Sequence, residues 1–355
     1  MLNNRQRNTL VIAILCSGLY STPHAANNRL PSVGANLQNT SVSGLSSGAF
    51  MTSQFYIAYS NIMVGAGIVA GGPYLCAQSW AYNTLMVNAT TACMNPLVPS
   101  VGPNTPVLLD KTKALAQAGV IDPLENLKKD RIYIFSGKSD HVVATTVVDQ
   151  TSAFFKAFDV PAKSIQYIKN VDSGHAFITT QTDDSECNLT QSPFINDCHF
   201  EQSNDILNFI YRHLKSPAET LSNTVIAFDQ KEFIDSPTTS MSDTAYAYIP
   251  KSCTQDKSCP VHVVFHGCLQ GAKVIGDKYY NHTGYNEMAE ANDLIILYPQ
   301  VEPSFTVPLN PQGCWDFWGY SSPNTPNPDY YTRQAPQLKA VYKMVLRLAE
   351  PKKGL

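Results

Sequence analysis

The stretch Ser41-Val-Ser-Gly-Leu-Ser-Ser-Gly-Ala-Phe50 decides the fold of this chain. Within it, Gly44, Ser46 and Gly48 form the pattern G-x-S-x-G, and a helix-like segment and then a strand-like segment follow. At a strained turn from a strand into a helix, glycines relieve crowding, the serine hydroxyl is presented at the tip, and the next backbone N–H faces a developing oxyanion. The pattern therefore predicts Ser46 as a nucleophile, and an ordinary Gly-Ser turn is the alternative interpretation.

Apolar runs of strand length recur on both sides of this turn. They are Ile62–Ala70, Arg131–Phe135, Ile165–Ile168, Val225–Phe228, Ala245–Ile249, Val261–Phe265 and Leu294–Tyr298. Segments with helical periodicity lie between several of them, at Phe50–Tyr59, Ser203–Leu214, Tyr285–Ala291 and Pro336–Leu348. This alternation predicts an α/β protein with a mostly parallel central sheet flanked by helices. Because no internal repeat, charge block or long low-complexity linker divides the sequence, we expect one domain over residues 27–355.

The composition limits the class of protein. With 355 residues, of which 44% are hydrophobic and 15% charged, the chain can bury a large core, which excludes a disordered or fibrous protein. Twenty-five Lys and Arg against 28 Asp and Glu give a formal charge of -3. The chain lacks the basic excess that binding to a phosphate backbone requires, so we expect no nucleic-acid partner.

The N-terminus has the pattern of a secretory signal peptide. Arg5 and Arg7 precede an apolar run from Leu10 to Leu19, and a pair of alanines ending at Ala26 follows. The run is shorter than the roughly 20 apolar residues that cross a bilayer, and no later segment of the sequence is long and apolar enough. We therefore expect a signal peptide over residues 1–26, export to the extracellular space or the periplasm, and no stable membrane insertion.

The cysteines indicate a disulfide framework. Cleavage near Ala26 removes Cys16 and leaves an even number of cysteines in an exported protein. Spacing alone does not select one pairing, but sequence neighbours close short loops at low entropic cost. We therefore expect the pairs Cys76–Cys93, Cys187–Cys198 and Cys253–Cys259, which leave Cys268 to pair with Cys314. No pair has the spacing of a metal knuckle with a matching second pair, so we expect no metal site.

A serine nucleophile needs a histidine base and a carboxylate that orients the histidine. Asp140 and His175 each lie just after a predicted strand, and Ser46, Asp140 and His175 stand in the Ser, acid, His order of an α/β-hydrolase. A turn cap for Asp140 and an ordinary loop histidine for His175 are the alternative interpretations. Asp149, in a helix-like segment, and Asp172, close to His175 in sequence, are the rival acids.

One element stands in an unexpected place in the chain. The predicted strand Val261–Phe265 is followed by the loop His266-Gly-Cys268. A strand followed by an H-G loop is typical of the element that supplies the second oxyanion N–H in an α/β-hydrolase. That loop normally precedes the nucleophile, whereas here it follows the nucleophile, the acid and the histidine. We therefore expect a circular permutation, with the former termini joined between Leu214 and Val225.

Several motifs along the chain, in this order, carry a resemblance to a known family. They are G-L-S-S-G-A-F-M, S-G-K-S-D, D-S-G-H, V-H-V-V-F-H-G-C-L-Q, T-G-Y-N, L-I-I-L-Y-P-Q and G-C-W-D-F-W-G-Y. Together they resemble secreted poly(3-hydroxybutyrate) depolymerases of the circularly permuted, single-domain type. The resemblance implies an α/β-hydrolase fold, a triad of Ser46, His175 and Asp140, and an oxyanion hole formed by the backbone N–H groups of Ser47 and Cys268.

The resemblance also implies that aromatic residues near Trp315 and Trp318 line the polymer cleft. Core residues beside a disulfide are the alternative interpretation for both tryptophans. We expect the side chain of His266 to brace its loop. We expect no separate polymer-binding domain, so adsorption to a polymer would depend on exposed apolar residues of the catalytic domain.

These observations predict a secreted, monomeric serine esterase that needs no cofactor. It would cut ester bonds of a short-chain polyhydroxyalkanoate such as poly(3-hydroxybutyrate), or of its oligomers, through an acyl-enzyme intermediate. A feruloyl or acetyl-xylan esterase on the same scaffold is the nearest alternative. A non-catalytic surface- or carbohydrate-binding protein is an alternative of another class, against which the intact Ser, Asp and His argue.

Overall fold

Strands and helices lie close to the positions that the sequence predicts. A computed structural model describes residues 29–255, 257–324 and 327–352, and the predicted signal peptide falls outside the described residues. The strands are β1 (Asn36–Leu45), β2 (Met63–Val69), β3 (Arg131–Phe135), β4 (Ile165–Ile168), β5 (Phe177–Thr179), β6 (Ser185–Glu186), β7 (Ile195–Asp197), β8 (Ile226–Asp229), β9 (Thr244–Tyr248), β10 (Pro260–Phe265) and β11 (Ile295–Tyr298). The helices are α1 (Ser47–Ala58), α2 (Leu85–Thr90), α3 (Thr105–Gln117), α4 (Thr145–Ala157), α5 (Gln202–Tyr211), α6 (Lys251–Gln255), α7 (Ala272–Ile275), α8 (Lys278–Asn281), α9 (Tyr285–Asn292) and α10 (Pro336–Ala349). No helix in these ranges is long and apolar enough to cross a membrane.

Strand β1, which ends just before Ser46, lies in the middle of an eight-stranded sheet of order β4-β3-β2-β1-β10-β11-β9-β8. It pairs in parallel with β2 and β10. The other pairs are also parallel except at one edge, where β9 runs antiparallel to both β11 and β8. Helices α1, α4, α5 and α10 contact the strands. The predicted α/β class with a mostly parallel sheet is confirmed, and the antiparallel edge was not predicted.

Helix α1 is enclosed on all sides. Each of its residues is buried, whereas a surface helix has a polar stripe. Tyr59, which follows the helix, stacks on Tyr342 of α10 with ring centroids 4.1 Å apart, and Gln54 donates a hydrogen bond to the backbone oxygen of Asp316 (2.9 Å). A helix enclosed in this way holds its N-terminus, and with it the turn at Ser46, in one place.

A buried chain of hydrogen bonds joins β1 to β10. At its centre, Nδ1 and Nε2 of His262 lie 2.6 and 2.8 Å from the hydroxyls of Ser41 and Ser43. The phenol oxygens of Tyr211 and Tyr285 extend the chain, 2.7 and 2.6 Å from those two hydroxyls. Burial lowers the pKa of His262 to about 3, so the imidazole is neutral and offers one donor and one acceptor. The network therefore holds together two strands whose ends carry site residues.

A second, smaller sheet follows β4 and was not predicted. Strands β5, β7 and β6 form it in that order, in parallel pairs. Each strand has only two or three residues, too few for an apolar periodicity to be recognised. The backbone N–H of Gly174 donates to the backbone oxygen of Cys187 (2.8 Å). The segment with the small sheet therefore supports the loop that carries His175.

Helix α5 ends at Tyr211 instead of the predicted Leu214. Arg212 and His213 have φ angles of 59° and 51°, which no α-helix can contain. The side chain of Asn208 then accepts a hydrogen bond from the N–H of Leu214 (3.2 Å). The apolar periodicity of the sequence thus continues past the residue at which the backbone leaves the helix.

The four predicted disulfides are present. The three short loops close over sequence separations of 17, 11 and 6 residues, and the fourth bridge spans 46 residues. The bridges are Cys76–Cys93, Cys187–Cys198, Cys253–Cys259 and Cys268–Cys314. The pairing inferred from loop length is therefore confirmed; Cys16 lies outside the described residues.

Candidate active site

The turn at Ser46 has the conformation that a nucleophile elbow requires. Ser46 has φ 58° and ψ -122°, a region that is strained for a residue with a side chain. It stands between the end of β1 and the first residue of α1, and its N–H donates to the backbone oxygen of Val69 (3.0 Å). The residue is 8% exposed. The backbone of the turn is thus fixed while its side chain is presented at the end of the sheet.

The two glycines of the pattern are required by close backbone approach. A Cβ atom on Gly44 would lie 2.5 Å from the backbone oxygen of Gly48 and 2.8 Å from that of Phe265. A Cβ atom on Gly48 would lie 2.4 Å from the backbone oxygens of both Phe265 and His266. Only glycine lets the strand, the helix and the loop after β10 meet at this distance. The glycines that defined the motif in the sequence therefore bring Ser46 close to that loop.

Asp140 and His175 form a hydrogen-bonded pair in the loops after β3 and β4. Nδ1 of His175 lies 2.8 Å from Oδ2 of Asp140, and each residue is 5% exposed. The other carboxylate oxygen accepts the N–H groups of Val142 and Val143 at 2.8 and 2.9 Å, and the N–H of His175 donates to the hydroxyl of Thr190 (2.9 Å). An ionised carboxylate only accepts hydrogen bonds, so it assigns the proton to Nδ1 and leaves Nε2 as the acceptor.

The two rival acids have other partners. Asp149 on α4 accepts hydrogen bonds from a tyrosine and a lysine side chain at 2.9 and 2.7 Å. Exposed Asp172 accepts the hydroxyl of Ser139 at 2.5 Å. Of the three candidate acids, the structure therefore places Asp140 beside His175.

Ser46 and His175 line the same small cavity, which has a volume of about 130 Å³ and is also lined by Cys268. Residues from three separate loops meet here because the carboxyl ends of parallel strands lie at one edge of a sheet. In this arrangement an imidazole with a free Nε2 can take the proton of a serine hydroxyl as that hydroxyl attacks an ester carbonyl.

Two backbone N–H groups beside this cavity suit an oxyanion. Ser47 is the first residue of α1, whose first N–H groups have no acceptor within the helix and carry the positive end of its dipole. In the loop after β10, the N–H groups of Gly267 and Leu269 donate to protein acceptors. Among the described residues, none accepts the N–H of Cys268. Ser47 and Cys268 also line a second, larger cavity together, so both can face one ligand.

Gln270 holds the loop after β10 in this position. Its side chain is 1% exposed and accepts the N–H of Gly267 (2.7 Å). Its amide nitrogen donates to the backbone oxygens of Pro193 and Phe194 at 2.9 and 3.0 Å. Gln270 thereby joins the loop of Cys268 to the segment that pairs with β5 after His175. Sequence reasoning missed this residue, although an amide two residues after the H-G-C loop was the available signal.

His266 braces the same loop, as the sequence analysis expected. It is fully buried, its Nδ1 lies 2.7 Å from the backbone oxygen of Gly267, and its Nε2 accepts the N–H of Val301 at 3.2 Å. Burial lowers the pKa of His266 to about 4, so a neutral ring donates from Nδ1 and accepts at Nε2.

The two predicted cleft tryptophans have different environments. The bridge between Cys268 and Cys314 joins the loop after β10 to the segment that contains both tryptophans. Trp318 is partly exposed and lines the larger cavity. Trp315 is 0% exposed and lies 4.8 Å from the ring of Phe265. The structure contradicts the substrate-binding prediction for Trp315, because a side chain without exposed surface belongs to the core.

Asp316 shapes the turn that presents Trp318. Its buried carboxylate accepts the backbone N–H groups of residues 318–321 at 2.6–3.1 Å and the hydroxyl of Ser321 at 2.7 Å. Burial raises the pKa of Asp316, and these donors act in the opposite direction. A buried carboxylate is tolerated here because its acceptor sites are filled.

The larger cavity is an apolar cleft of about 310 Å³ that begins at Ser46. Phe50 and Phe317 stack in its wall with ring centroids 4.2 Å apart. Its other apolar lining residues are Met86, Ala89, Met94, Val143, Leu309 and Trp318. Several apolar side chains close in sequence to Met86, Met94 and Leu309 are exposed. Together with Met86 and Leu309, which are also exposed, they form a set that we call the apolar rim. The rim comprises Met86, Val87, Leu97, Val98, Phe305, Val307 and Leu309.

The part of the chain that the structure describes holds no group of three or more His, Cys, Asp or Glu side chains that would bind a metal ion. Ser46 shares its small cavity with His175, which is paired with the carboxylate of Asp140.

Comparisons with known proteins agree with this geometry. No family model matches the chain. The chain is 38% identical over 331 residues to a poly(3-hydroxybutyrate) depolymerase of Delftia acidovorans, an alignment that covers 92% of this chain and 62% of that protein. It is 36% identical over 312 residues to a polyhydroxybutyrate depolymerase of Talaromyces funiculosus, covering 84% of this chain and 87% of that protein. The chain thus spans less than two thirds of the Delftia protein and most of the Talaromyces protein.

Solved structures give the same result. The crystal structure of PHB depolymerase from Penicillium funiculosum matches with a TM-score of 0.80 and 32% identity, over 91% of this chain and 99% of that one. A Ser-to-Ala variant of a PHB depolymerase complexed with an R3HB trimer matches with a TM-score of 0.79 over the same shares. This likeness is consistent with the predicted α/β-hydrolase fold. Given its identity to the Talaromyces protein over most of both sequences, the chain belongs to the polyhydroxybutyrate depolymerase family.

Proposed function

We propose that this protein is a serine esterase that hydrolyses the ester bonds of a short-chain polyhydroxyalkanoate such as poly(3-hydroxybutyrate), or of its oligomers. One observation carries the proposal: the hydrogen-bonded pair of Asp140 and His175 lies at the cavity that the strained Ser46 lines. The proposed nucleophile, base and acid thus come together at the floor of an apolar cleft.

In the proposed reaction, His175 Nε2 takes the proton of Ser46 as the serine oxygen attacks the ester carbonyl. Asp140 holds the imidazole and stabilises the imidazolium that forms. The imidazolium then gives its proton to the leaving alkoxide, which departs as a hydroxyl chain end. Water, activated by the same imidazole, attacks the acyl-serine and releases the carboxylic acid and Ser46.

The backbone N–H groups of Ser47 and Cys268 stabilise the tetrahedral oxyanion in this proposal. The N-terminus of α1 supports the Ser47 N–H with its dipole. Gln270, His266 and the bridge from Cys268 hold the opposite loop, so that its N–H does not have to reorganise during the reaction.

The cleft favours an aliphatic polyester as the substrate class. Its apolar wall of phenylalanine, methionine and leucine side chains suits a chain of methyl-bearing ester units. The relatives support the same class: two are named as depolymerases of poly(3-hydroxybutyrate) or polyhydroxybutyrate, and a solved relative is complexed with an R3HB trimer. Partly exposed Trp318 is proposed to contact the substrate in the cleft.

The apolar rim supplies a surface for adsorption to a solid polymer. Leu97, Val307 and Phe305 are 97%, 85% and 78% exposed and lie close in sequence to Met94 and Leu309 of the cleft. Exposed apolar side chains that occur together indicate an interaction surface. This proposal gives exposed apolar residues of the catalytic domain a role in adsorption.

Two features of the chain support the further proposals of export and permutation. Four disulfides suit an oxidising compartment, in agreement with the signal peptide predicted for residues 1–26. The loop with Cys268 follows β10, which pairs with β1 from a position later in the chain. This strand order supports a circular permutation within a single hydrolase domain of residues 27–355, which we propose acts as a monomer.

The decisive experiment compares wild type with Ser46→Ala on three substrates: an amorphous poly(3-hydroxybutyrate) film, a feruloylated or acetylated xylan, and a soluble butyrate ester. We expect the wild type to release 3-hydroxybutyrate or its oligomers from the film and little ferulate or acetate from xylan. Ser46→Ala should lose activity on film and soluble ester alike, by about 10⁴-fold or more.

Three other outcomes would contradict the proposal in different ways. Preferred release of ferulate or acetate would identify a xylan esterase. Binding to the polymer or the xylan without hydrolysis of any substrate would indicate a non-catalytic binding protein. Equal rates for the wild type and Ser46→Ala on the soluble ester would show that Ser46 is not the nucleophile.

A further inference from the structure

A polar cavity that is separate from the cleft lies between the start of α5 and the start of α9. Its volume is about 340 Å³, and its lining includes Gln181, Glu201, Asn281, Gly284 and Glu287. The side chains among these offer carboxylate or amide oxygens. The proposed reaction uses none of them, so the cavity needs a separate explanation.

Glu201 has one satisfied and one unsatisfied carboxylate oxygen. Oε1 accepts the N–H and the hydroxyl of Thr180 at 3.1 and 2.5 Å. Oε2 is buried and has no hydrogen-bond partner in the described ranges. A buried charged oxygen is costly to leave without a partner. Glu201 is thus held firmly by Thr180, while its second oxygen is buried without a partner in the described ranges.

Ser203 places a second unsatisfied oxygen at the same point. It is 0% exposed, and no described residue bonds to its buried hydroxyl. Gly284 has φ 76°, and a Cβ atom on it would lie 2.6 Å from Oε2 of Glu201 and 2.7 Å from Oγ of Ser203. The two oxygens therefore converge beside a backbone that only glycine leaves open.

Glu287, in the first turn of α9, has a third unsatisfied oxygen. Its Oε2 is buried and also lacks a partner among the described residues. Burial raises the pKa of Glu287, and the charge of Glu201 acts in the same direction. His282 also lines the cavity but is exposed. Glu201 and Glu287 thus line one polar cavity and each has an unsatisfied carboxylate oxygen, and the unsatisfied hydroxyl of Ser203 lies with Oε2 of Glu201 beside Gly284.

We propose that this cavity binds a calcium ion through Glu201, Glu287 and Ser203, with the amide oxygen of Asn281 as a further ligand. The donor set is entirely oxygen, which Ca²⁺ prefers, and Ca²⁺ tolerates the irregular geometry that Mg²⁺ does not. The ion would compensate the two negative charges. It would join the start of α5 to the start of α9 and, through Thr180, stabilise the segment after β5 that follows His175.

The test uses the intact protein without any ester substrate, so its outcome is independent of the proposed esterase activity. Protein dialysed against EDTA is titrated with CaCl₂ by calorimetry, and its thermal unfolding is measured with EDTA, CaCl₂ or MgCl₂. We expect one site with a dissociation constant of about 10⁻⁴–10⁻³ M. Calcium at about 10 mM should raise the Tm by about 3–5 °C, and magnesium by less.

Variants assign the site. Glu201→Gln and Glu287→Gln should each abolish the calcium response, and Ser203→Ala should weaken it. Glu125→Gln, which changes an exposed carboxylate elsewhere on the surface, should respond as the wild type does. If a variant fails to fold, the wild-type titration still decides whether the protein binds calcium.

The proposal is overturned if the wild type shows neither binding heat nor a Tm change in calcium. It is also overturned if Glu201→Gln and Glu287→Gln keep the full response. If the wild type does not bind calcium and Glu287→Gln has a higher Tm than the wild type, the carboxyl groups of Glu201 and Glu287 share a proton instead of binding an ion.

Discussion

The floor and the rim of the cleft are built in opposite ways. At the floor, Ser46, Asp140 and His175 are at most 8% exposed, and hydrogen bonds or backbone contacts hold each of them. At the rim, Leu97 and Val307 are 97% and 85% exposed. The floor is fixed by directional contacts, whereas the rim presents apolar surface to solvent.

This difference follows from the two tasks that we propose. Stabilising a developing charge requires dipoles that are already in place, because reorganising them during the reaction would raise the barrier. Adsorption to a polymer requires apolar area, and burial of apolar area is not directional. Mutations should therefore separate catalysis from adsorption. The rate of hydrolysis of a soluble ester depends on the floor alone, whereas the rate on a polymer film depends on the floor and the rim.

The largest effect is expected for Asp140→Asn, which removes the carboxylate that pairs with His175 at the floor. The neutral amide oxygen is a weaker acceptor for the N–H of His175 than the charged carboxylate. The amide NH₂ can also donate to Nδ1 and so favour the wrong tautomer of the ring. The kcat for a soluble butyrate ester should fall by about 10³–10⁴-fold. Asp172→Asn, at the rival acid, is the matched control and should change kcat by less than about twofold. Similar losses for both variants would contradict the assignment of Asp140.

Acid should destabilise the frame beneath the floor. Burial holds the pKa values of His262 and His266 at about 3 and about 4, below the value of about 6.5 in an unfolded chain. Below about pH 6.5, the unfolded chain therefore binds protons that the folded protein does not bind. The stability is complete above that pH and falls as the pH approaches the folded-state values.

At pH 5 this loss should be about 2 kcal/mol for each of the two histidines. Urea unfolding at a series of pH values from 8 to 5 measures it. A free energy of unfolding that stays constant over this range would show that His262 and His266 do not remain neutral in the folded protein.

Gln270→Ala should make the loop of Cys268 less rigid without removing a group that reacts. It leaves the N–H of Gly267 unpaired and releases the loop of Cys268 from residues 193 and 194. We expect kcat for the soluble ester to fall about tenfold with little change in KM, and stability to fall by about 1–3 kcal/mol.

Gln312→Ala is the control for Gln270→Ala. Gln312 lines the same cavities, but the loop uses only its backbone oxygen, which accepts the N–H of Leu269. Its kcat should stay within about twofold of the wild type. An unchanged kcat in Gln270→Ala would mean that the loop needs no support from this side chain.

The smallest effect is expected at the rim. The double variant Phe305→Ser and Val307→Ser should keep its kcat for the soluble ester, because neither residue touches the floor. Its adsorption to a poly(3-hydroxybutyrate) film should fall about threefold to tenfold, since each side chain buries only part of its apolar surface against a solid. Leu221→Ser, at an exposed apolar residue elsewhere, should adsorb as the wild type does. Equal adsorption by both would remove the rim from the proposal.

Features that depend on neighbours in sequence were predictable. The turn at Ser46 was recognisable because its glycines and serine lie within five neighbouring residues between a strand and a helix, and the positions of most strands follow from continuous apolar runs. The three short disulfides follow from loop length, and the fourth from elimination. The order of Ser46, Asp140 and His175 placed these residues in loops that the parallel sheet brings to one edge.

Features that depend on contacts between distant segments were not predictable. Trp315 and Trp318 are three residues apart in the same motif, yet one is buried beside Phe265 and the other lines the cleft. The role of Gln270 arises from contacts with residues 77 and 76 positions away. The small sheet has strands too short for a periodic pattern, and at the edge β9 pairs antiparallel with β11, from which β10 separates it in the chain.

The sequence by itself therefore determined the class of the fold, the disulfide pairs that are easiest to close and the candidates for nucleophile, acid and base, because residue type, spacing and order carry that information. The tertiary structure decided which acid meets His175, which tryptophan reaches the cleft, how Gln270 and His266 hold the oxyanion loop, and where unpaired carboxylate oxygens converge away from the cleft. These outcomes depend on distances of a few ångströms between segments far apart in the chain, and only the packed core sets those distances.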